Sequence, residues 1–315
     1  MDIPLIHTPC DICGSEQTTP EFDKSGFTGV RCSRCGLVFI SPRPDSQYLE
    51  KEVYNEGYFN AEKGYGIEDI EGRAKIQSKK RALSLFDEIE KTTSKGTLLD
   101  IGCAAGYFLE EASRRGWTAN GVEISKFAAE KAGLKNRFNI YIGDFINLDI
   151  PANKFDLVLM LDLIEHLTSP VEGLKKAFAA LKPGGLLVIE TPNYESAPSK
   201  VLGKEWGLIA PEHHLFYFTP KTLTSALETA GFTIREMKYP RWGLADLLFS
   251  AGSFKKVGLP IGDKEKKFVR SRLKGIRDTI RSAADIVDKS LLVPLSGNSG
   301  GVTIRAFAIK PTEEK

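Results

Sequence analysis

The chain runs to 315 residues, 42% hydrophobic and 27% charged, with a formal net charge of +2. That length and apolar content suffice for a full core, while the near balance of charge excludes the global basic field by which a protein gathers on nucleic acid. No run of about 18 uncharged apolar residues occurs, which excludes a membrane-spanning helix, and neither an internal repeat nor a low-complexity tract is seen.

From the amino terminus, the first unit spans residues 1–45. Cys10 and Cys13 form one knuckle and Cys32 and Cys35 a second, with 18 residues between them. This is the spacing of a tetrahedral four-cysteine zinc site. Gly14 and Gly36 follow the knuckles and allow the tight turns that aim backbone amides at thiolates. Four thiolates leave zinc no open position, so the metal is expected to hold a small fold together and not to activate water. Disulfides would need an oxidising compartment. No signal peptide precedes Cys10 and the fifth cysteine, Cys103, belongs to another motif, so a cytoplasmic zinc ribbon is expected. Asp2, Asp11, Glu16, Glu21 and Asp23 stand against Lys24 alone over residues 2–30, which disfavours nucleic acid as a partner there. His7 precedes the ribbon and is given no role.

Residues 46–95 read as a helical preface. The Ser41-Pro42-Arg43-Pro44 segment breaks the chain, an aromatic and acidic stretch follows, and residues 71–91 carry the period of a long helix. Tyr54, Tyr58 and Phe59 are accounted for by ordinary helix packing, with a lid over a cleft as the alternative.

The core is expected over residues 96–240. Residues 98–101 read as a buried parallel strand containing Asp100, followed by a small-residue turn, Gly102-Cys103-Ala104-Ala105-Gly106, and an amphipathic helix entered at Tyr107 and Phe108. A ligand would lie at the strand's carboxyl end. A second strand, residues 118–124, ends in Glu123 and Ile124; Glu123 stands 23 positions after Asp100, the spacing at which a carboxylate meets ribose hydroxyls. A third stretch, residues 140–142, leads to Gly143-Asp144-Phe145, a carboxylate for an exocyclic amine beside an aromatic face for a base. A fourth strand, residues 155–160, reaches Leu161 and then Asp162-Leu163-Ile164-Glu165-His166. After Leu-Lys-Pro-Gly-Gly at 181–185 and its strand come Trp206, the cluster Pro211-Glu212-His213-His214-Leu215-Phe216-Tyr217-Phe218-Thr219, a helix over 221–230 closed by Gly231, and a sixth strand at 232–239. Residues 241–299 form an expected helical insertion. Ten Lys or Arg against three acids over 255–281 read as a solvated helix face, with an anionic partner or bilayer surface as the alternative. The alternating segment within 300–315 is the expected last, antiparallel strand.

With these motifs in this order, the chain resembles the class I S-adenosylmethionine-dependent methyltransferases over about residues 97–239 and again in its last dozen residues. The resemblance implies an α/β, doubly wound, mostly parallel seven-stranded sheet. It implies cofactor contacts from Asp100, Gly102, Cys103, Ala104, Gly106, Tyr107 and Phe108, with Ala104 where the family has its middle glycine. It further implies Glu123 and Ile124 at the ribose, Asp144 and Phe145 at adenine, and Leu161 at the end of the fourth strand. A nicotinamide-binding dehydrogenase shares the first turn but does not predict Asp144-Phe145 or the Leu-Lys-Pro-Gly-Gly segment.

Methyl transfer from a sulfonium is an in-line displacement, so the enzyme aligns the acceptor and, for most hydroxyl or carbon acceptors, removes a proton. Histidine suits that task near neutral pH. Of four histidines, His166, His213 and His214 fall in segments expected at the carboxyl edge of the sheet, although helix capping or backbone bonding also accounts for residues 162–166. The chain is similar to zinc-containing sugar C-methyltransferases in its knuckles and in His213-His214-Leu-Phe-Tyr217-Phe218. That similarity implies His214 as base, His213 at the place of that family's Glu, and His166 or Tyr217 as orienting partners. The expected acceptor is a small molecule, a sugar or a surface-polysaccharide precursor. Asp162-x-x-Glu165-His166 with a later His also resembles the divalent-metal site of some O-methyltransferases, including small-RNA and ubiquinone-pathway enzymes, which implies Mg2+ in that alternative; Asp162 stands where those have Glu. An RNA methyltransferase is disfavoured by the acidic ribbon and by Leu161-Asp-Leu-Ile where an Asn-Pro-Pro-Tyr type of motif would stand. A non-catalytic cofactor-binding module would have lost Asp100, Glu123 and Asp144.

Overall fold

The computed structural model describes residues 3–53, 73–131, 133–240 and 301–312. The aromatic residues Tyr54, Tyr58 and Phe59 and the 241–299 insertion lie outside the described residues. No helix among the described residues is long and apolar enough to cross a membrane.

The central sheet has seven strands, β6 (Thr97–Ile101), β7 (Thr118–Glu123), β8 (Asn139–Ile142), β9 (Phe155–Leu161), β10 (Leu181–Pro192), β12 (Thr233–Lys238) and β13 (Thr303–Ile309), in the order β12-β13-β10-β9-β6-β7-β8. The pairs from β10 through β8 are parallel, and β13 runs antiparallel to both β10 and β12. Near-continuous apolar runs such as Phe155–Leu161 suit strands covered on both faces. Successive side chains on a strand point to opposite faces, and the core divides accordingly. Leu99, Val158, Met160, Leu187 and Ile189 join one cluster with Leu174 of helix α4 (Pro170–Ala180) and Leu223 and Leu227 of α6 (Pro220–Thr229). Leu98, Leu157, Leu159 and Val188 join the other with Phe86 of α1 (Arg73–Ile89) and Leu109 of α2 (Tyr107–Arg114). The result is a three-layer doubly wound α/β fold. Two shorter helices are α3 (Lys126–Lys131) and α5 (Ala197–Leu202). A Thr219–Thr222 capping box, with Pro220 at the first helical position, fixes where α6 starts.

The amino-terminal unit contributes β1 (Leu5–Ile6), β2 (Thr18–Lys24), β3 (Phe27–Cys32), β4 (Val38–Ile40) and β5 (Arg43–Pro44). Strands β1 and β5 pair with each other, and β2, β3 and β4 form a meander. Its fourth strand comes from the core: β11 (Phe216–Tyr217), two residues beyond His214, pairs antiparallel with β4, Phe216 opposite Phe39 and Tyr217 opposite Val38. The larger apolar cluster includes Cys10, Cys32, Leu37 and Phe39 together with Ile101 and Met160, so the ribbon is packed into the body of the molecule.

Candidate active site

The turn after β6 is shaped by backbone in the left-handed region, at Gly102 (φ 77°), Ala104 (φ 43°) and Gly106 (φ 74°). A Cβ on Gly106 would come within 2.3 Å of the Leu134 side chain. Gly102 N–H and Cys103 N–H both donate to the Val122 carbonyl, at 2.9 and 3.0 Å, which ties the turn to β7. Glu123 closes it from the other side: its carboxylate accepts from Ala104 N at 2.9 Å and from Ser125 N at 2.9 Å. The Ile124 amide also acts on this carboxylate, which offers about four lone-pair positions, so room remains for a hydroxyl. Burial raises the pKa of Glu123 against the pull of those amides. Asp100, 3% exposed, is pushed up to about 7 by burial and by the Glu123 charge, with Arg81 acting against the rise. Asp144 accepts from Ile146 N at 3.1 Å and Asn147 Nδ2 at 2.8 Å, and the neighbouring Phe145 ring lies under the Lys176 ammonium at 5.5 Å.

A cleft runs along this edge. Gly102, Ala104, Glu123, Ile124, Asp144 and Phe145 line one end, and Asp162, His166 and Thr168 the other, with Ser46 and Leu49 beside them. Asp100, Cys103, Gly106, Tyr107, Phe108 and Leu161 stand outside that lining. The residues fit an adenosine group: two carboxylates and an aromatic face at one end, and glycine backbone where Gly102 already has Leu163 3.1 Å from the place of a Cβ.

Three imidazoles meet at the other end. His166 and His213 stack with centroids 5.5 Å apart, and His214 sits edge-on to both at 4.7 Å. His166 Nδ1 lies 3.0 Å from the His213 carbonyl and His214 Nδ1 2.8 Å from the Leu208 carbonyl. A carbonyl only accepts, so each Nδ1 carries the proton and each Nε2 is the acceptor nitrogen of a neutral ring. Burial holds all three below the usual histidine range, His213 down to about 3. Glu165, 2% exposed, accepts from Thr191 Oγ1 at 2.9 Å and is pushed up to about 8 by burial and then by the charge of Asp162. Ligand atoms of Glu165, His166 and His214 all lie within 4.8 Å of one another. Asp162 is not in that group. Its carboxylate takes an ion pair at 2.5 Å from Arg81, which also reaches Glu190 at 2.9 Å; Arg305 completes the chain to Glu190 at 2.7 Å. Tyr217 is not at the cleft either: its ring packs with Phe22 of the ribbon and with Tyr194.

In the ribbon the Sγ atoms of Cys10 and Cys35 are 3.4 Å apart and those of Cys13 and Cys32 3.6 Å, with all four within 4.8 Å. These separations exceed a disulfide bond of about 2.05 Å. They approach the edge of a tetrahedron built on bonds of about 2.3 Å from zinc to sulfur, so the donor set fits that metal.

Sequence reasoning finds the acids and the glycines because they follow one another in a fixed order. It misses Arg81, Glu190, Arg43, Ser46 and Thr168. Arg81, Glu190, Arg43 and Thr168 act across long separations, and a lone Arg on a helical pattern reads as a solvated charge.

A model of the family described as "Methyltransferase domain" matches residues 73–237. A ubiquinone biosynthesis O-methyltransferase of Methylobacterium nodulans is 32% identical over 152 residues, 44% of this chain and 60% of that protein. One from Dinoroseobacter shibae is 29% identical over 169 residues, 47% of this chain and 67% of that protein. The first of these matches thus spans about 60% of its relative's length. A SAM-dependent methyltransferase from Archaeoglobus fulgidus superimposes with a TM-score of 0.49 at 21% identity, covering 78% of this chain and 97% of that one.

Proposed function

We propose, from the premise that this chain belongs to the class I S-adenosylmethionine-dependent methyltransferases, that it moves a methyl group onto an oxygen of a small-molecule acceptor. The observation that carries the reading is the two-ended cleft, with Glu123, Asp144 and Phe145 at one end and Asp162, His166 and Thr168 at the other. S-adenosylmethionine, when bound, supplies an electrophilic methyl and leaves as S-adenosylhomocysteine. Glu123 holds the turn and offers lone pairs to ribose; Asp144 and Phe145 take the base. His166 reaches the cleft as a neutral imidazole and accepts the hydroxyl proton, and His214 stands behind it as the next acceptor. A sugar or surface-polysaccharide precursor is the acceptor class suggested by the ribbon and the His213-His214 segment. The names of the relatives favour oxygen as the methylated atom.

A second reading has a specific observation in its favour. A fully buried Glu165 beside two imidazoles whose Nε2 atoms are acceptors is a ligand set, and Nδ1–H donation to a carbonyl is how metal-bound histidines are commonly held. A divalent cation there would supply Lewis acidity to the acceptor. The ribbon thiolates would hold one zinc, a closed structural site. A panel of sugar nucleotides and phenols assayed for S-adenosylhomocysteine release, with and without mild chelation, tests both readings. Activity that survives chelation and falls about 10²- to 10⁴-fold in His166→Ala supports the base. Activity restored only by added Mg2+ supports the cation. Absence of cofactor binding by calorimetry would sink both.

A further inference from the structure

The first cysteine knuckle is bonded to the helix that follows the wall of the cleft. Asp11, between Cys10 and Cys13, accepts from Val171 N at 2.7 Å. Val171 is the second residue of α4, which begins just after the 164–168 wall. Arg43 is 5% exposed and donates from Nη2 to the Thr168 carbonyl at 2.6 Å, while its guanidinium lies 5.0 Å from the centroid of Phe216. Its Nε and Nη1 have no hydrogen-bond partner among the described residues. Burying a guanidinium with unused donors costs free energy, so its position is held by the contacts it does make. Asp11 is the anion that Arg43 feels. The strand that carries Phe216 continues the same linkage: Ile40 N donates to the Leu215 carbonyl at 2.9 Å, and Leu215 N to the Glu165 carbonyl at 2.8 Å. Ribbon, cleft wall and imidazole cluster are thus joined by charge and backbone through two residues that do not themselves line the cleft.

We propose that Asp11 and Arg43 are positioning residues: the knuckle closed by its metal fixes Asp11, and Asp11 with Arg43 sets the 164–168 wall and the His213–His214 strand against each other. The proposal rests on the methyl-transfer reading for its consequence in turnover, but not for its structural content. Asp11→Asn keeps an acceptor for Val171 N–H and loses the charge facing Arg43; Asp11→Ala loses both. Misplacement of reacting groups by about 1 Å costs up to about 10²-fold in rate.

The test uses the full zinc-loaded chain. Zinc content, the absorption of the cobalt-substituted thiolate site, cofactor affinity, and the imidazole nitrogen and proton resonances of His166, His213 and His214 at one fixed pH are compared in wild type and variants. Asp11→Ala and Arg43→Met are expected to keep the metal and bind cofactor as wild type does, to shift the three imidazole resonances, and to lower kcat about 10- to 100-fold with the cofactor KM unchanged; Asp11→Asn should recover part of both effects. Should Asp11→Ala fail to fold, Asp11→Asn and Arg43→Lys carry the same comparison. Unchanged imidazole resonances in metal-loaded variants would overturn the proposal. A wild type without turnover would count against the methyl-transfer reading alone, because the resonances still report the linkage.

Discussion

At the scale of the residue, the site depends on two carboxyls with opposite tasks. Glu123 is engaged by Ala104 N and Ser125 N, so removing it loosens the turn as well as the proposed ribose contact. Glu123→Ala is expected to weaken S-adenosylmethionine by about 1.5 to 3 kcal/mol, the worth of hydrogen bonds to a charged group, read by calorimetry; unchanged affinity would remove Glu123 from the ribose. Glu165 is the contrary case. Its folded pKa, raised from 4.5 to about 8, means that the folded chain holds a proton the unfolded chain has released, so its contribution to stability is full below about 4.5 and is lost as pH rises through about 8. The three imidazoles have lowered values, so they shape stability below about 6.5 and are silent above it. Denaturation midpoints of chain free of divalent ions should therefore fall from pH 7 to pH 8, and Glu165→Gln should reduce that fall, with Asp100, raised to about 7, supplying part of the remainder. If the second reading holds, Mg2+ should abolish the fall and displace about one proton near pH 7, counted by calorimetry in buffers of different ionisation enthalpy. Binding without proton release would argue against Glu165 as a ligand. The acids proposed for the cofactor end were legible in the sequence because each stands at or just beyond the end of a strand. The meeting of Glu165 with His214 was suggested there only by resemblance, since two segments 49 positions apart in the chain say nothing of distance.

At the scale of the element, strands and helices follow hydrophobic period closely. The run at 155–160 is the strand Phe155–Leu161, and the helix read over 221–230 begins at Pro220, where the capping box places it. What period does not reveal is a two-residue strand such as Phe216–Tyr217, whose partner is 177 residues earlier in the chain, because so short a run has no pattern of its own. The turn after β6 carries a local conflict that the sequence did announce. Ala104 occupies the place of a glycine and is held at φ 43°, a conformation that costs a residue with a Cβ roughly 1 kcal/mol. Ala104→Gly is expected to raise stability by up to about 1 kcal/mol, reduced by the added freedom of the unfolded chain, with the Ala104 N–H to Glu123 bond retained. Thermal denaturation checks it, and a clear destabilisation would show that the methyl group contributes packing that outweighs the strain. A larger effect is expected in β10. Glu190, 3% exposed, lies between the Arg81 and Arg305 guanidinium groups. Glu190→Gln removes the anion the two guanidinium groups share, while Arg81 keeps Asp162 and Arg305 keeps Glu88, so the loss is expected to be about 1.5 to 3 kcal/mol, the worth of hydrogen bonds to a charged group, and chemical denaturation would measure it.

At the scale of the whole molecule, the question is whether the ribbon behaves as an attachment or as part of the core. Cysteine spacing marks a separate unit, and nothing in that spacing foretells a shared sheet. The structure gives the ribbon a strand from the core, places Cys10, Cys32, Leu37 and Phe39 in the same apolar cluster as Ile101 and Met160, and anchors Lys24 on the Trp206 and Ile209 carbonyls. A four-thiolate site would contribute its binding energy directly to folding. Because its apolar neighbours belong to the central cluster, that energy should be felt across the molecule. Two tryptophans offer separate views: Trp206 packs with Phe27, Val38 and Ile40 at the ribbon, and Trp117 with Phe86 on the far face of the sheet. Unfolding of the zinc-loaded chain, followed in variants that retain one of these two tryptophans at a time with Trp242 replaced, is expected to give coincident transitions, and chelation of the zinc should move both to lower denaturant by the same amount. A ribbon that merely hangs on the enzyme would melt early at Trp206 and leave the Trp117 transition where it was, an outcome that would also deprive Asp11 and Arg43 of any hold on the cleft.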